Sequence, residues 1–470
     1  MKPQNIKFGT DGWRAVIAEE FTFENVARVA DGLAAHIKSR RGLREHPVAI
    51  GYDRRFLSKD FAEAAASTLA GNSIPVILSE AAVTTPCLAY AAATRKVSFG
   101  VMITASHNPP HYNGIKFKTP EGASCPKAVT DEIEKLIPSL PRGFQTPRTS
   151  LPAADFISPY VAKLRGLFAH GKNAPSGMRL AYNPMHGPGA GLLAAALPHA
   201  EVIEINQNHD PMFGGINPEP IEKNLKDFAR FTSENKCSAG FAVDGDGDRI
   251  GIIDDTGRYL SPHMVFPIFL EHLLKNPKTR GCAVQGFALG YLSRRVARAY
   301  GVKIIDAPVG FKYVADELIK GGCIIGAEES GGIGFGREIG HIPERDGLAA
   351  SIFAASVISA AGKKLSELAD DITAKYGRSH YERLDMRLKR PVEPKTVYAR
   401  MESVWRKSKN IERIDRLDGV KLIFSDESWI LVRASGTEPV VRIYSETPDE
   451  PLTKKLIEQA RRIVADEVGS

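Results

Sequence analysis

The segment AGFAVDGDGD (residues 239–248) joins a short apolar run to three aspartates that are separated by glycines. An apolar run without strict alternation is typical of a strand buried on both faces of a largely parallel sheet. Runs of this kind recur in three sets of three, beginning at residues 48, 74 and 99, at 178, 201 and 239, and at 282, 302 and 323. The stretches between them leave room for crossover helices, as in FAEAAASTLAG before residue 74. The sequence therefore predicts three similar α/β units with mixed, largely parallel sheets.

Turn-forming residues divide the chain into four predicted domains. Four prolines between Pro138 and Pro152 indicate a linker, and the turn DDTGRYLSP from Asp254 separates the second unit from the third. After residue 375 the strand–loop–strand segment WILVRASGTEPVVRIYSE and a charged amphipathic helix do not repeat the earlier pattern. They predict a different, C-terminal α+β domain. The predicted bounds are 1–150, 151–254, 255–375 and 376–470.

Composition excludes several classes of protein. With 470 residues, 43% hydrophobic and 25% charged, the chain is neither disordered nor collagen-like. The formal net charge of +7 is a mild bias without a dense Lys/Arg block, so neither nucleic acid nor a membrane surface is an expected partner. Basic side chains lining a cleft for an anionic small molecule explain the charge more simply.

The same composition bears on the compartment. The longest charge-free apolar stretch, Gly347 to Gly362, is too short and too polar to span a bilayer and predicts a buried helix. The first residues contain no apolar signal-peptide core. Five cysteines without CxxC spacing, at 87, 125, 237, 282 and 323, are expected to be reduced thiols. A cytoplasmic location is therefore predicted.

Polar loops follow the third strand of every α/β unit. These loops are TASHNPP, DGDGDR and EESGG. Open parallel sheets bind ligands outside the carboxyl ends of their strands. We therefore expect the three loops, together with the segment RASGTEP of the last domain, to face one central active-site cleft.

The aspartates of the second loop predict a metal site. Asp244, Asp246 and Asp248 alternate with glycines, so that their carboxylates can converge on one hard cation. An EF-hand is not expected, because the twelfth position is Asp255 and the residues 250–253 predict a returning strand. Three carboxylates leave an octahedral ion short of ligands, which suits Mg²⁺ completed by water or a phosphate oxygen. A solvated acidic turn is the alternative.

The first loop presents a serine at the end of a buried strand. Pro109 and Pro110 follow so closely that Ser106 cannot simply cap a regular helix. We do not expect the adjacent His107 to turn its ring onto the Ser106 hydroxyl, and the chain has no GxSxG segment. Both points argue against a Ser–His–Asp hydrolase. A structural turn serine is the alternative.

Three further segments have the composition of sites for a phosphorylated sugar. RASGTEP (433–439) with Arg442 combines a flexible backbone, hydroxyls and guanidinium groups, as an anion site requires, although an ordinary hairpin is the alternative. FGTDGWR (8–14) is a glycine-rich turn that delivers Arg14. The acids and hydroxyl of residues 328–330 can bind sugar hydroxyls or form the N-terminus of a helix.

Taken together, these segments resemble the α-D-phosphohexomutase superfamily, the phosphoglucomutase and phosphomannomutase enzymes. The resemblance covers essentially the whole chain and rests on FGTDGWR, TASHNPPHYNGIK, DGDGDR, GAEESGG and RASGTEP in the family's order. It implies a four-domain isomerase that acts through a phosphoserine and a hexose 1,6-bisphosphate. It also implies that glucose 1,6-bisphosphate serves as intermediate and activator, and that the protein is a monomer or homodimer.

Matching motifs imply roles for individual residues. Ser106 corresponds to the phosphoserine, and its phosphate would join Asp244, Asp246 and Asp248 as a metal ligand. Lys116 corresponds to the candidate general base with Arg14 beside it, and His107 is a further catalytic candidate. The implied substrate-binding residues are Arg249, Glu328, Ser330, Arg433, Ser435, Gly436, Thr437 and Arg442.

The sugar is the open part of the prediction. The loop EES followed by GG is closest to that of glucose-type mutases, which implies interconversion of glucose 1-phosphate and glucose 6-phosphate. A phosphomannomutase or a phosphoglucosamine mutase is the same-chemistry alternative, and a Mg-dependent sugar-phosphate phosphatase is the alternative from another class. Phe311 stands where some dual-specificity enzymes have a histidine, and His341 is either its substitute in proton transfer or a structural histidine.

Overall fold

The computed structural model describes residues 6–9, 11–138, 151–169, 175–388, 392–406, 410–434 and 439–468. The chain divides into two compact units. The first consists of Met1–Leu260, Ala315–Gly326 and Ser330–Ser366, and the second of Ser261–Val314, Ala327–Glu329 and Glu367–Ser470. The domain bounds at residues 150, 254 and 375 stay predictions.

A six-stranded mixed sheet with helices opens the first unit. Its elements are β1 (Trp13–Val16), α1 (Phe23–Ser39), β2 (Val48–Tyr52), α2 (Ser58–Gly71), β3 (Val76–Ser79), α3 (Thr85–Thr94), β4 (Phe99–Ile103), β5 (Tyr112–Lys118), α4 (Lys127–Leu136) and β6 (Ala153–Ala154). The strand order is β1-β5-β4-β2-β3-β6. The three predicted strands β2, β3 and β4 are parallel, whereas β5 returns antiparallel to β4. Every residue of β2 and β4 is buried, as their continuous apolar pattern predicts.

The second sheet repeats this arrangement. Its elements are α5 (Ile157–Phe168), β7 (Arg179–Asn183), α6 (Leu192–Ala196), β8 (Glu201–Glu204), α7 (Lys226–Glu234), β9 (Ala239–Val243), β10 (Ile250–Asp254) and β11 (Tyr259–Leu260). The strand order is β11-β10-β9-β7-β8. The predicted strands β7, β8 and β9 are parallel, and β10 is the predicted returning strand, antiparallel to β9. The turn between β9 and β10 contains the three aspartates.

The third set of predicted strands also forms. The elements are α8 (Pro262–Lys275), β12 (Cys282–Gly286), α9 (Leu292–Ala299), β13 (Ile304–Ala307), α10 (Phe311–Lys320), β14 (Cys323–Ala327), β15 (Ile333–Phe335) and α11 (Gly347–Ala361). In the second unit β12 and β13 pair in parallel. In the first unit α11 is the predicted buried helix, and the Asp346 carboxylate caps its N-terminus by accepting from the Ala349 N–H.

The C-terminal part of the second unit has a different fold, as predicted. After α12 (Leu365–Tyr376), its elements are β16 (His380–Arg387), α13 (Pro394–Trp405), β17 (Ile411–Asp415), β18 (Val420–Phe424), β19 (Trp429–Ala434), β20 (Val440–Thr447) and α14 (Glu450–Val468). The sheet order is β16-β20-β19-β18-β17, and every neighbouring pair is antiparallel. Apolar residues of the sheet, among them Leu422, Val432 and Ile443, pack with Met401 of α13 and Ala460 of α14 in one core.

One prediction about the cysteines is wrong. Cys87, Cys125 and Cys237 are free and buried, but Cys282 and Cys323 are each disulfide-bonded. Each of these two cysteines begins a strand. The spacing of cysteines along a chain does not reveal which of them are close enough in space to form a disulfide.

Among the helices of the described residues, none is by itself long and apolar enough to cross a membrane. One bent pair of helices could do so by length and composition only.

Candidate active site

Ser106 lies in a tight turn directly after β4. Its side chain is fully buried, and its φ of 53° is in the left-handed region that residues other than glycine seldom adopt. The Thr104 hydroxyl accepts a hydrogen bond from the Ser106 N–H at 2.8 Å. This turn directs Oγ of Ser106 to Oδ2 of Asp244, to which it donates at 2.9 Å.

The same turn corrects a prediction about His107. Its Nδ1 lies 3.2 Å from Oγ of Ser106, although we expected the ring to turn away from the neighbouring hydroxyl. The left-handed backbone at Ser106 brings the two adjacent side chains to one side. Burial and the charges of Arg249 and Arg14 hold the pKa of His107 well below its usual range, so the ring is neutral. Within the described residues no hydrogen bond joins a carboxylate to the other ring nitrogen, so a hydrolase-type triad is not formed.

The aspartate loop forms a buried cluster of carboxylates. One oxygen each from Asp244, Asp246 and Asp248 lies within 4.8 Å of the others, and all three residues are buried. Oδ1 of Asp244 accepts from the N–H groups of Asp248, at 2.8 Å, and of Arg249, at 3.1 Å. Burial and the neighbouring carboxylates raise the pKa of Asp244 well above its usual range. Burial opposes ionisation of Asp248 too, but Arg345 and Lys116 lower its pKa overall.

The cluster fits a divalent cation. Oδ1 of Asp246 and Oδ1 of Asp248 are buried without a hydrogen-bond partner among the described residues. A buried carboxylate oxygen without a partner is costly unless a cation neutralises it. Hard oxygen donors of this kind are the ligands that Mg²⁺ and Ca²⁺ prefer. The aspartate loop is therefore a potential metal site.

Glycines make the approach of the two loops possible. A Cβ atom at Gly245 would lie 2.5 Å from the carbonyl oxygen of Ser106, and one at Gly247 would lie 2.6 Å from Cγ2 of Thr84. Gly247 also has a φ of 73°. Glycine at these two positions lets the aspartate loop contact the serine loop, which explains the alternation of Asp and Gly in the sequence.

Lys116 and Arg14 lie beside the two loops. Nζ of Lys116, which is buried on β5, lies 3.0 Å from Asp11 Oδ2, 2.8 Å from Asp246 Oδ2 and 3.0 Å from Asp248 Oδ2. Burial opposes the charge, but the three carboxylates raise the pKa of Lys116 overall. In this arrangement Lys116 is a charged donor, and its role as a base stays a prediction. Arg14 Nη1 donates to Asn108 Oδ1 of the serine loop at 2.8 Å.

Arg249 directly follows the last aspartate. Its Nη1 lies 3.5 Å from Glu219 Oε1, which is a loose ion pair. Its Nε is buried and has no hydrogen-bond partner among the described residues. The Arg249 guanidinium thus lies next to the aspartate loop, and its role in binding an anionic substrate stays a prediction.

The remaining predicted substrate residues fall in both units. Ser330 belongs to the first unit and Glu328 to the second, and their loop joins β14 to β15, so it is not the N-terminus of a helix. Arg433 and Arg442 lie opposite each other on β19 and β20 of the second unit. Asp418 accepts from Arg433 Nε at 2.9 Å, and Arg442 Nε lies 3.7 Å from Asp385 Oδ2. Ser435, Gly436 and Thr437 lie outside the described residues.

Two site residues of the first unit were missed from the sequence. The Arg55 guanidinium donates to four carbonyl oxygens of the serine loop, those of Ser106, Asn108, Pro109 and Tyr112, at 2.6 to 3.0 Å. Thr85 Oγ1 donates to Asp246 Oδ2 at 2.6 Å. Arg55 and Thr85 both lie outside the five segments that carry the resemblance, so neither was singled out from the sequence.

The segment GHIPERDG contains a third missed residue. Arg345 Nη2 lies 2.8 Å from both Asp11 Oδ2 and Asp248 Oδ2. His341 of the same segment lies 2.9 Å from Asp346 Oδ2 and among the rings of Phe168 and Phe335. These contacts favour a structural histidine, which is one of the two alternatives that the sequence left open for His341, whereas nothing in the sequence indicated Arg345.

Comparison with known proteins identifies each domain. Four segments match the family described as phosphoglucomutase/phosphomannomutase: residues 5–141 its alpha/beta/alpha domain I, 158–257 domain II, 261–376 domain III and 386–463 the C-terminal domain. A "Phosphoglucomutase/phosphomannomutase" of Thermococcus kodakarensis is 31% identical, with 98% of each chain covered. A "Probable phosphoglucosamine mutase" of Methanopyrus kandleri is 29% identical, with 97% of each chain covered. The crystal structure of a putative phosphomannomutase from Thermus thermophilus is similar at 35% identity and a TM-score of 0.86, covering 99% of this chain and 100% of that one.

Proposed function

The chain belongs to the phosphoglucomutase/phosphomannomutase family, within the α-D-phosphohexomutase superfamily, and on that premise we propose a mechanism and a sugar for it. It is an isomerase of the hexose-phosphate mutase type. The observation that supports the mechanism best is the hydrogen bond from Ser106 Oγ to Asp244, in a buried loop beside a carboxylate cluster. We propose that Ser106 is the residue that donates and recovers the phosphoryl group.

The proposed reaction has two transfers. The P–O bond of phosphorylated Ser106 breaks, its phosphoryl group bonds to the free O6 or O1 of a hexose phosphate, and the proton of that hydroxyl passes in net to the Ser106 oxygen. The product is a hexose 1,6-bisphosphate, with glucose 1,6-bisphosphate as the expected activator. After the bisphosphate turns over, its other phosphoryl group bonds to Ser106 Oγ, the Ser106 proton passes in net to the sugar oxygen that loses the phosphoryl group, and the isomeric monophosphate is released. Such transfers depend on positioning and charge neutralisation, for which we propose Lys116, Arg14 and Arg249, because their cationic groups lie beside the serine and aspartate loops.

We propose Mg²⁺ as the cofactor of the aspartate loop. Asp244, Asp246 and Asp248 would hold it, because two of their oxygens are buried without a partner among the described residues. When bound, the ion would supply positive charge that offsets the negative charge of the phosphoryl group. The chain's own part is to hold the three carboxylates and the Ser106 loop in register, through Gly245 and its close approach to the Ser106 carbonyl.

The sugar is proposed from two kinds of observation. The EES-GG loop favours glucose by resemblance, whereas the names of the Thermococcus and Thermus relatives also include mannose. Glucose and mannose differ only at C2, so a loop that binds O3 and O4 can accept both. We therefore propose that the enzyme acts on glucose 1-phosphate and mannose 1-phosphate alike. Glucosamine 1-phosphate is the second candidate, because several curated relatives are named phosphoglucosamine mutases.

One assay tests the proposal. The purified protein is given a hexose 1-phosphate with Mg²⁺ and a trace of glucose 1,6-bisphosphate, and both the 6-phosphate and free phosphate are measured. Formation of the isomer with little free phosphate supports a mutase. Stoichiometric release of free phosphate would instead favour the phosphatase alternative.

A further inference from the structure

Two carboxylates of the aspartate loop are engaged on one oxygen only. Oδ2 of Asp246 accepts from Thr85 Oγ1 at 2.6 Å, and Oδ2 of Asp248 lies 2.8 Å from Arg345 Nη2. Lys116 contacts both of these Oδ2 atoms. The two Oδ1 atoms have no hydrogen-bond partner among the described residues. In each of the two carboxylates, therefore, Oδ2 is hydrogen-bonded to the protein and Oδ1 is left to bind a cation.

We infer that Thr85 and Arg345 are positioning residues that fix which oxygen of Asp246 and of Asp248 faces the proposed metal ion. The inference rests on the proposed function, because it concerns the metal site assigned there. Groups that hydrogen-bond to the ligands of a metal commonly set their orientation, and their loss weakens metal binding. Here the Thr85 hydroxyl and the Arg345 guanidinium come from outside the aspartate loop. Thr85 lies at the start of α3, and Arg345 lies in the segment before α11.

Thr85 is held rigidly enough to orient a carboxylate. It begins α3, where the Thr84 side chain caps the helix by accepting from the Cys87 N–H and Pro86 follows. The Thr85 N–H donates to the Asp246 carbonyl at 2.8 Å, so that its backbone and its hydroxyl bind the same residue. Thr85 is fully buried, and a β-branched side chain has few rotamers to exchange.

Arg345 is held by its two neighbours in sequence. Glu344 pairs with the buried Lys118 of β5 and accepts from Ser124 Oγ at 3.0 Å. On the other side Asp346 caps α11 and accepts from the Tyr160 hydroxyl at 2.8 Å. Three consecutive charged residues therefore each bind a different element of the first unit. The Arg345 side chain is only 7% exposed, and this anchored backbone limits where its guanidinium can lie.

The direction in which the affinity for a cation changes distinguishes a positioning role of Arg345 from a purely electrostatic one. If Arg345 acted only through its positive charge, its removal would strengthen cation binding, because a competing cation beside Asp248 would be gone. If it orients Asp248, its removal weakens cation binding. For Thr85, which is uncharged, only the loss of orientation is expected.

The test measures binding of Mn²⁺, a paramagnetic probe for a Mg²⁺ site, by electron paramagnetic resonance of the free ion. The variants are Thr85→Val, Thr85→Ser and, as a matched control, Thr68→Val, which removes another buried helical hydroxyl that donates to the Ala64 carbonyl. Intact mass is used to match the phosphorylation of Ser106 between samples. We expect Thr85→Val to raise the dissociation constant for Mn²⁺ about tenfold or more. Thr85→Ser and Thr68→Val are expected to bind Mn²⁺ like the wild type, with unchanged thermal midpoints.

Arg345 is tested in the same way. Arg345→Met should weaken Mn²⁺ binding about tenfold, and Arg345→Lys should weaken it less. The control is Arg28→Met, which removes a buried arginine of α1 and should leave Mn²⁺ binding unchanged. Should Arg345→Met fail to fold, Arg345→Lys and the threonine series still decide the question.

The outcomes are distinct. Mn²⁺ binding by Thr85→Val equal to that of the wild type, or tighter binding by Arg345→Met, would overturn the inference while leaving the proposed function intact. Absence of Mn²⁺ binding by the wild type itself would overturn the metal site of the proposed function.

Discussion

Oγ of Ser106 donates to Oδ2 of Asp244 across 2.9 Å, although 138 positions separate the two residues in the chain. The contact joins the loop after β4 of the first sheet to the loop after β9 of the second. A phosphoryl group on Ser106 would bring two negative charges next to three buried carboxylates. Like charges at that distance repel strongly in a buried site, so the phosphorylated form needs a cation there. The same geometry thus links the proposed phosphoserine to the potential metal site.

Ser106→Ala is expected to lower turnover about a thousandfold or more, because no other described hydroxyl donates to the Asp244 carboxylate. The fold should persist, since alanine fills less space in the same turn. Intact mass of the active wild type should show about 80 Da more than its sequence mass, one phosphoryl group, and the variant should not. Near-normal turnover by the variant would contradict the phosphoserine mechanism.

Arg55→Lys is expected to lower kcat about tenfold to a hundredfold with little change in KM. A lysine keeps the charge beside Asp53 but cannot reach the four carbonyl groups that the guanidinium binds, so the Ser106 loop loses its fixed position. Arg54→Lys is the matched control, because Arg54 donates to the Gln207 carbonyl and not to the serine loop. Equal kcat values for the two variants would show that Arg55 does not position the loop.

The fold was largely predictable, because strands buried on both faces leave unbroken apolar runs. All nine predicted runs are strands, and β2, β4 and β9 are buried at every residue. The antiparallel β10 could be predicted as well, from the apolar residues that follow the aspartates. The disulfide-bonded Cys282 and Cys323 could not, because a disulfide depends on which strand ends meet in space.

Only part of the site could be predicted. Ser106 and the three aspartates belong to motifs whose residue types alone indicate a reactive hydroxyl and a metal site. Thr85 and Arg345 act through contacts with residues 161 and 97 positions away, and nothing local distinguishes them. His107 was misjudged because the rotation of its ring toward Ser106 follows from a left-handed backbone conformation that a serine seldom adopts.

Arg433→Ala is expected to raise KM about tenfold to a hundredfold in both directions of the reaction, the scale of a lost hydrogen bond to a charged group. By resemblance Arg433 binds the phosphate that is not being transferred, and Asp418 holds its Nε so that the other nitrogens are oriented. Arg413→Ala, an exposed arginine on β17 of the same sheet, is the control. A defect confined to the 1-phosphate would contradict a single binding site used in both orientations.

We expect Lys421 to make the stability of the protein depend on pH. Its Nζ donates to the Phe287 carbonyl at 2.8 Å and lies 3.9 Å from the centroid of the Trp429 ring. Burial, together with the charge of Arg294, lowers the pKa of Lys421 to about 7. The unfolded chain, with an ordinary lysine pKa, therefore binds the proton more tightly, and this residue's contribution to stability rises as the pH increases from about 7 to about 10.5.

Lys421→Met should remove this dependence. Between pH 7 and pH 9.5 we expect the thermal midpoint of the wild type to rise relative to that of the variant. Below pH 7 the difference between the two midpoints should stay constant, because the lysine is protonated in both the folded and the unfolded state. Lys278→Met, at an exposed lysine, should follow the wild type. Parallel curves for wild type and Lys421→Met over the whole range would refute the lowered pKa.

Glu328→Gln is expected to lower kcat/KM for glucose 1-phosphate and mannose 1-phosphate together, about tenfold or more, because it weakens a bond to hydroxyls that the two sugars share. Glu328 is buried in the loop between β14 and β15, and O3 and O4 stay near the middle of the bisphosphate when it turns over, where one loop can bind them in both orientations. In the wild type we expect the two neutral sugars to react with similar efficiency and the cationic glucosamine 1-phosphate to react more slowly. Glu317→Gln, an acid of α10 that pairs with Lys320, is the matched control. Steady-state kinetics on the three sugar phosphates decide the question. A loss of kcat/KM for only one neutral sugar would mean that Glu328 binds at C2 instead of at C3 and C4. A wild type that prefers glucosamine 1-phosphate would contradict the proposed sugars but not the proposed transfer chemistry at Ser106.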